Sequence, residues 1–373
     1  MNAANNFSTV GILSGNNVSL ANGTALDLGA SSIGGNLTVT AAGALTQIGP
    51  LSVAGNTALA VGANNISLTN AANDFNSVSI GSGNAVALTD ANALTMNASV
   101  TSGNLSVNAV DLTVAGTISS TGGSLSLTGT NSVTQLANLT VNGANPITVT
   151  TAGGPITMAA AATTTSGTGA IAYTAGTDVT LGSLNTGGGV DVIANGGSVF
   201  SAPGSGTNIT AGANSSLQAF NGVVGTQAAP MTVAVNPGTL SIRATTAMNG
   251  ISAFLTGTLL PANVLTLLNV PPGLVCFNGC PAPNPSPTAN LSTLATSTFV
   301  YLNPETIIPA YYPQPSRSVL ISDITSGYIP NVLLQASPDS PSAGSPAVQS
   351  MGPKANAGAT CSQHTLDVRC TVR

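Results

Sequence analysis

The sequence predicts an all-β fold: a parallel β-helix, or solenoid, over residues 1–250, with an irregular Pro-rich C-terminal region. Three observations carry that reading: an internal duplication, short apolar alternations at close spacing, and a near absence of charge.

Residues 2–41 align without a gap on residues 70–109, and 21 of the 40 pairs are identical. Asn2–Phe7 returns as Asn70–Phe75, Ser14-Gly15-Asn16 as Ser82-Gly83-Asn84, and Leu37 as Leu105. An offset of 68 residues fits three rungs of about 22–23 residues each, a length usual for solenoid repeats. Within each unit, apolar–polar–apolar triplets recur, among them Val18-Ser19-Leu20, Leu37-Thr38-Val39, Ile66-Ser67-Leu68, Val86-Ala87-Leu88 and Leu105-Ser106-Val107. Alternation with period two is a strand signal, but runs this short do not suit a sandwich or a barrel. They suit the sides of a β-helix. Val18, Leu20, Leu37, Val39, Val86, Leu88, Leu105 and Val107 are the expected interior, with about ten rungs between residues 5 and 245. Gly and Asn between the triplets tolerate the positive φ of tight corners.

Charge is the third observation. Charged residues make up 4% of the 373-residue chain, against roughly 25% in an average soluble protein. Like charges stacked rung on rung would repel, so a solenoid excludes them. The chain is 43% hydrophobic with a net charge of −5, the opposite of a disordered composition. The first basic residue is Arg243, so no Lys or Arg cluster exists to neutralise phosphates, and nucleic acid is excluded as a partner. The most apolar stretch, Ala253–Val275, is broken by Pro261, Pro271 and Pro272 and does not read as a membrane span. Met1–Phe7 has neither the basic nor the apolar region of a signal peptide.

The same scarcity bears on catalysis. Asp90 and Asp111 are 21 residues apart, near one rung, and could stack as a carboxylate pair. Neither has a basic partner within the repeat, Asp178 and Asp191 are out of register, and turn positions account better for all four. We expect no enzyme and no cofactor. Thr38-Val39-Thr40 and Thr148-Val149-Thr150 do not recur at rung spacing as an ice-binding array would. Sequons such as Asn17, Asn36, Asn65 and Asn104 match what an Asn-rich, Ser/Thr-rich composition yields by chance.

The triplet rhythm fades near residue 235. Residues 251–335 read as a capping or irregular region, with a loop at 281–287 and short strands or a helical turn at 296–335. Residues 336–373 read as a flexible linker and a Cys-closed tail. The four cysteines form two local pairs, Cys276 with Cys280 and Cys361 with Cys370. That count and spacing favour disulfides formed in an oxidising compartment. A metal held by Cys276 and Cys280, with Cys361, His364 and Cys370 supplying further ligands, or free thiols, are the alternatives, and spacing disfavours a zinc site.

The Asn-Ala-Ala-Asn-(Asn/Asp)-Phe unit, the Leu-Thr-Val rungs and the segment Ala44–Val53 resemble the repeats of very large bacterial exoproteins, the filamentous-haemagglutinin-like, two-partner-secreted adhesins. The resemblance covers residues 2–250 and is one of pattern. It implies a right-handed β-helix, export across the outer membrane, and attachment to host-cell or abiotic surfaces, glycans among them. Some members end in a disulfide-closed loop that retains them in their outer-membrane transporter, and Cys361 and Cys370 match its position and size. The family's amino-terminal secretion domain has no counterpart here, so the chain looks like a C-terminal portion, whose uncapped first rung would favour self-association. A purely structural spacer projecting another domain is the competing expectation.

Overall fold

The structure is a computed structural model. It describes residues 5–248 and 251–259, and beyond them Leu265–Leu267, Leu274–Asn278, Phe299–Tyr301, Leu333–Gln335, Ala359–His364 and Asp367–Val372. The described chain is all-β, with parallel strands stacked as a solenoid of about 12 turns. Three strands make one turn. Val18–Asn22 opens the first face, Leu26–Leu28 the second and Ser31–Ile33 the third; Leu37–Ala41 then returns to the first and pairs in parallel with Val18–Asn22.

Along the second face the register runs Leu26, Leu45, Ile66, Val86, Leu105 and Leu125, with 19 to 21 residues per turn. This corrects the expected rung of 22–23 residues. The 68-residue duplication spans three and one-third turns instead of three, so equivalent segments sit on neighbouring faces. Val18 on the first face corresponds to Val86 on the second, and Leu26 on the second to Leu94 on the third.

Inward residues alternate with outward ones along every strand of these turns, and the inward ones form a continuous apolar core. Leu37, Val39, Val86, Leu88, Leu105 and Val107 are buried as expected. Val18 and Leu20 are only partly buried, because their turn has a complete neighbour on one side only. At the corners successive backbones nest closely. A Cβ on Gly123 would lie 2.1 Å from the carbonyl carbon of Gly103, so no side chain fits there.

Beyond Leu125 the turns lengthen: Ile147 follows after 22 residues and Ile171 after 24 more. Tyr173 fills the wider interior, fully buried, and its hydroxyl donates to Gln135 Oε1 at 2.6 Å and contacts Thr164 Oγ1 at 2.7 Å. Gln135 Nε2 in turn donates to Thr164 Oγ1 at 3.0 Å, so all three buried polar groups are satisfied within the core. Burial pushes the Tyr173 phenol well above its ordinary range and keeps it protonated as a donor.

Parallel pairing runs on past residue 250. Met231 lies opposite Leu255, Leu240 opposite Leu265, Ile251 opposite Leu274, and Leu265 opposite Phe299. The loop expected at 281–287 and most of the linker expected at 336–360 lie outside the described residues. A second compact unit, Ile307–Arg373, contains an antiparallel sheet in which Asp367–Val372 pairs with both Leu333–Gln335 and Ala359–His364.

Replacing Tyr173 by Phe removes the shorter of the two bonds to the buried Gln135 Oε1 and leaves only the long one from Thr164 Oγ1 at 3.4 Å. We expect the variant to lose about 1–3 kcal/mol of stability, read from chemical denaturation, with unchanged β content.

Candidate interaction surface

Outside the core the surface is built from uncharged ladders and a few isolated acids. The acids are placed by the stacking itself. The Thr46 hydroxyl donates to Asp27, and Asn92 Nδ2 to Asp74 at 2.8 Å. Asp111 accepts from Asn131 Nδ2 at 2.7 Å and Ser132 Oγ at 2.5 Å, Asp178 from the Ser198 amide at 2.7 Å, and Asp191 from Ser216 Oγ at 2.8 Å. Each of these five carboxylates therefore meets a donor from the following turn. Asp111 lies opposite Ala93 on one side and Ser132 on the other, so the structure does not bring Asp90 and Asp111 together as a pair.

Asp90 is the exception. It is 5% exposed and accepts from two backbone amides, Phe75 at 2.7 Å and Asn92 at 3.1 Å. Its equivalent in the first unit is Asn22, which accepts from the Phe7 amide at 2.8 Å. Asn22 also donates through Nδ2 to the carbonyls of Phe7 and Ala25, both at 3.0 Å. One corner latch is thus made twice, once with an amide and once with a carboxyl. Burial raises the Asp90 pKa above the usual carboxylate range; the two amides oppose that, and nearby Asp74 adds to it. Aligning the two units shows Asn22 against Asp90, and that substitution was the available signal for this latch.

The outward ladders were harder to see. On the third face Thr95, Thr113, Thr134, Thr157 and Thr180 follow one another in register over five successive turns. Their sequence spacings are unequal, which hides the column from any search at fixed period. Thr38 and Thr148, by contrast, face Ala58 and Ala172 on a neighbouring turn. Two depressions lie away from this column, one lined by Gly62, Ser82, Val100 and Thr101, another by Thr38, Thr40, Ala58 and Ser79. No ionisable side chain lines either one. Among the described residues no three His, Cys, Asp or Glu side chains gather as a metal site. No helix among them is long and apolar enough to cross a membrane.

Of the cysteines, Cys276 lies on Leu274–Phe277 opposite Phe254, while Cys280 is outside the described residues. Cys361 and Cys370 face each other directly across the antiparallel pair. Directly opposed residues have Cα atoms about 4.5–5.5 Å apart, within the span a disulfide needs.

Fold and surface together define a parallel β-solenoid repeat protein with an almost uncharged exterior. A family profile described as "Repeats of unknown function (DUF5649)" matches residues 15–81 and 83–123. Its second match begins at Gly83, the equivalent of Gly15 where the first begins, so the profile and the duplication share one frame. No curated protein and no solved structure matches the chain.

The latch yields a pH-dependent outcome. A carboxyl whose pKa is raised on folding weakens the fold as pH climbs from its unfolded value through its folded one. Asp90→Asn should therefore raise the melting temperature at neutral pH, with the gain shrinking as the pH is lowered into the carboxylate range. Equal gains at all pH values would contradict the assignment.

Proposed function

We propose that the chain is a segment of a bacterial surface exoprotein that mediates attachment through the outward faces of its solenoid. The observation that supports this most is the threonine ladder on the third face. Hydroxyl and methyl groups repeat there at about 4.8 Å on a backbone already ordered, so contact with an extended surface costs little conformational entropy. Uncharged, regularly spaced hydroxyls suit glycans on host cells and hydrated abiotic surfaces. The resemblance of residues 2–250 to filamentous-haemagglutinin-like, two-partner-secreted adhesins supports the same reading and an extracellular or outer-membrane-associated location. In that reading the opposed Cys361 and Cys370 close a disulfide loop that holds the exported chain in its outer-membrane transporter.

A spacer reading has its own support. Five of the six acids in residues 1–242 are engaged by the next turn, which suits a rod whose surface is occupied with itself.

Replacing Thr113, Thr134 and Thr157 by Val keeps the branched shape and removes the hydroxyls. The attachment reading expects the purified full chain to lose about tenfold in adhesion to glycan-coated surfaces, the equivalent of roughly 1.4 kcal/mol. Undiminished adhesion, or none by the parent chain, favours the spacer. Replacing Cys361 and Cys370 by Ser should release the exported protein to the medium without changing β content. Retention of that variant on the cell would overturn the anchor.

A further inference from the structure

One cation breaks the uncharged pattern of the solenoid. On the second face an outward column runs Thr128, Thr150, Thr174, Ile193, Gln218 and Arg243, one residue per turn in register. Five turns of uncharged side chains thus end in the first basic residue of the chain. Its guanidinium lies over the Phe220 ring, 4.2 Å from the centroid. Phe220 follows directly on Ser215–Ala219, the strand that pairs with Leu240–Ala244. The ring face attracts the cation but accepts none of its N–H groups as a carbonyl or carboxylate would.

Those donors meet no acceptor among the described residues. Arg243 Nε is buried without a hydrogen-bond partner, a state that folded proteins rarely leave unexplained. Asp191, the acid closest along this face, stands two turns earlier in the neighbouring column, roughly 12 Å away at the backbone. It accepts from Ser216 Oγ at 2.8 Å, and Ser216 Oγ accepts from Gln218 Nε2 at 3.3 Å. That chain of bonds ends one turn short of Arg243. Ser216, Gln218, Ser241 and Arg243 form a tile of two turns by two outward positions, about 4.8 by 7 Å. All four are part-exposed.

Held flat on a ring, a guanidinium keeps its terminal N–H groups as a planar fork, which matches a carboxylate through two parallel bonds. The neighbours specify the rest of the ligand. Gln218 brings an amide oxygen and Ser241 a hydroxyl, both suited to the hydroxyls of a sugar ring seated on the tile. We propose that Arg243, steadied by Phe220 and flanked by Gln218 and Ser241, binds the carboxylate of an acidic saccharide, a uronic-acid chain lying on the second face. This site is separate from the threonine ladder on the third face and supplies the charge that the ladder lacks.

The test titrates the full chain with tetragalacturonate, with its methyl ester, and with polyglutamate of similar length, read by calorimetry. The free acid should bind about tenfold or more tightly than the ester, as expected for a charge-assisted pair. Arg243→Gln should abolish that preference. Arg243→Lys, which keeps the charge without the fork, should retain part of it, and Phe220→Leu should weaken it several-fold, with β content unchanged throughout. The variant with Thr113, Thr134 and Thr157 replaced by Val should bind tetragalacturonate undiminished; a loss there would place the saccharide on the ladder and overturn the separate site. Equal affinity for acid and ester, binding of neither, or full binding by Arg243→Gln overturns the proposal. Polyglutamate bound as tightly as tetragalacturonate, with the same dependence on Arg243, overturns the saccharide assignment.

Discussion

Every side chain in this solenoid has its structural equivalent one turn away, at about the spacing of paired strands. That single constraint organises the rest. Like charges cannot stack, so Lys and Arg are absent before Arg243, and five of the six acids before it meet a donor from the next turn. Apolar side chains stack well on themselves, so the interior is a narrow column of Leu, Val and Ile. Where the column widens, one tyrosine with two polar partners fills it. At the corners the backbones approach until only glycine fits, as at Gly123.

Much of this was legible in the sequence, because alternation is local and stacking leaves a compositional trace. The apolar triplets name the strands and most of the core. The length of a turn was not legible. A 68-residue duplication invites division by a whole number of turns, and nothing in the residues reveals that equivalent segments change face. That follows only from the register of Val18 with Leu37 and of Val86 with Ile66. The threonine ladder was hidden for a related reason, since turns of unequal length bring unequally spaced residues into line. The direct opposition of Cys361 and Cys370 likewise depends on hairpin register, which nine positions of separation permit but do not specify.

The change of face has a consequence for any surface role. Thr95 belongs to the ladder, yet its equivalent in the first unit is Asp27, on a different face and bonded to Thr46. Duplication therefore did not build the ladder by copying one surface down one side; it distributes copies around the axis. A ligand lying along one face meets residues drawn from different positions of the repeat.

The stacking register is tested most directly by distances between spin labels placed along the third face. With one label at Thr95 and the second at Thr157, Thr180 or Phe200, the labelled sites lie three, four and five turns apart. At about 4.8 Å per turn, the backbone separations should be roughly 14, 19 and 24 Å, rising in equal steps. A series that rises in those steps establishes the register. A series that is flat or irregular, as two packed antiparallel sheets would give, contradicts it.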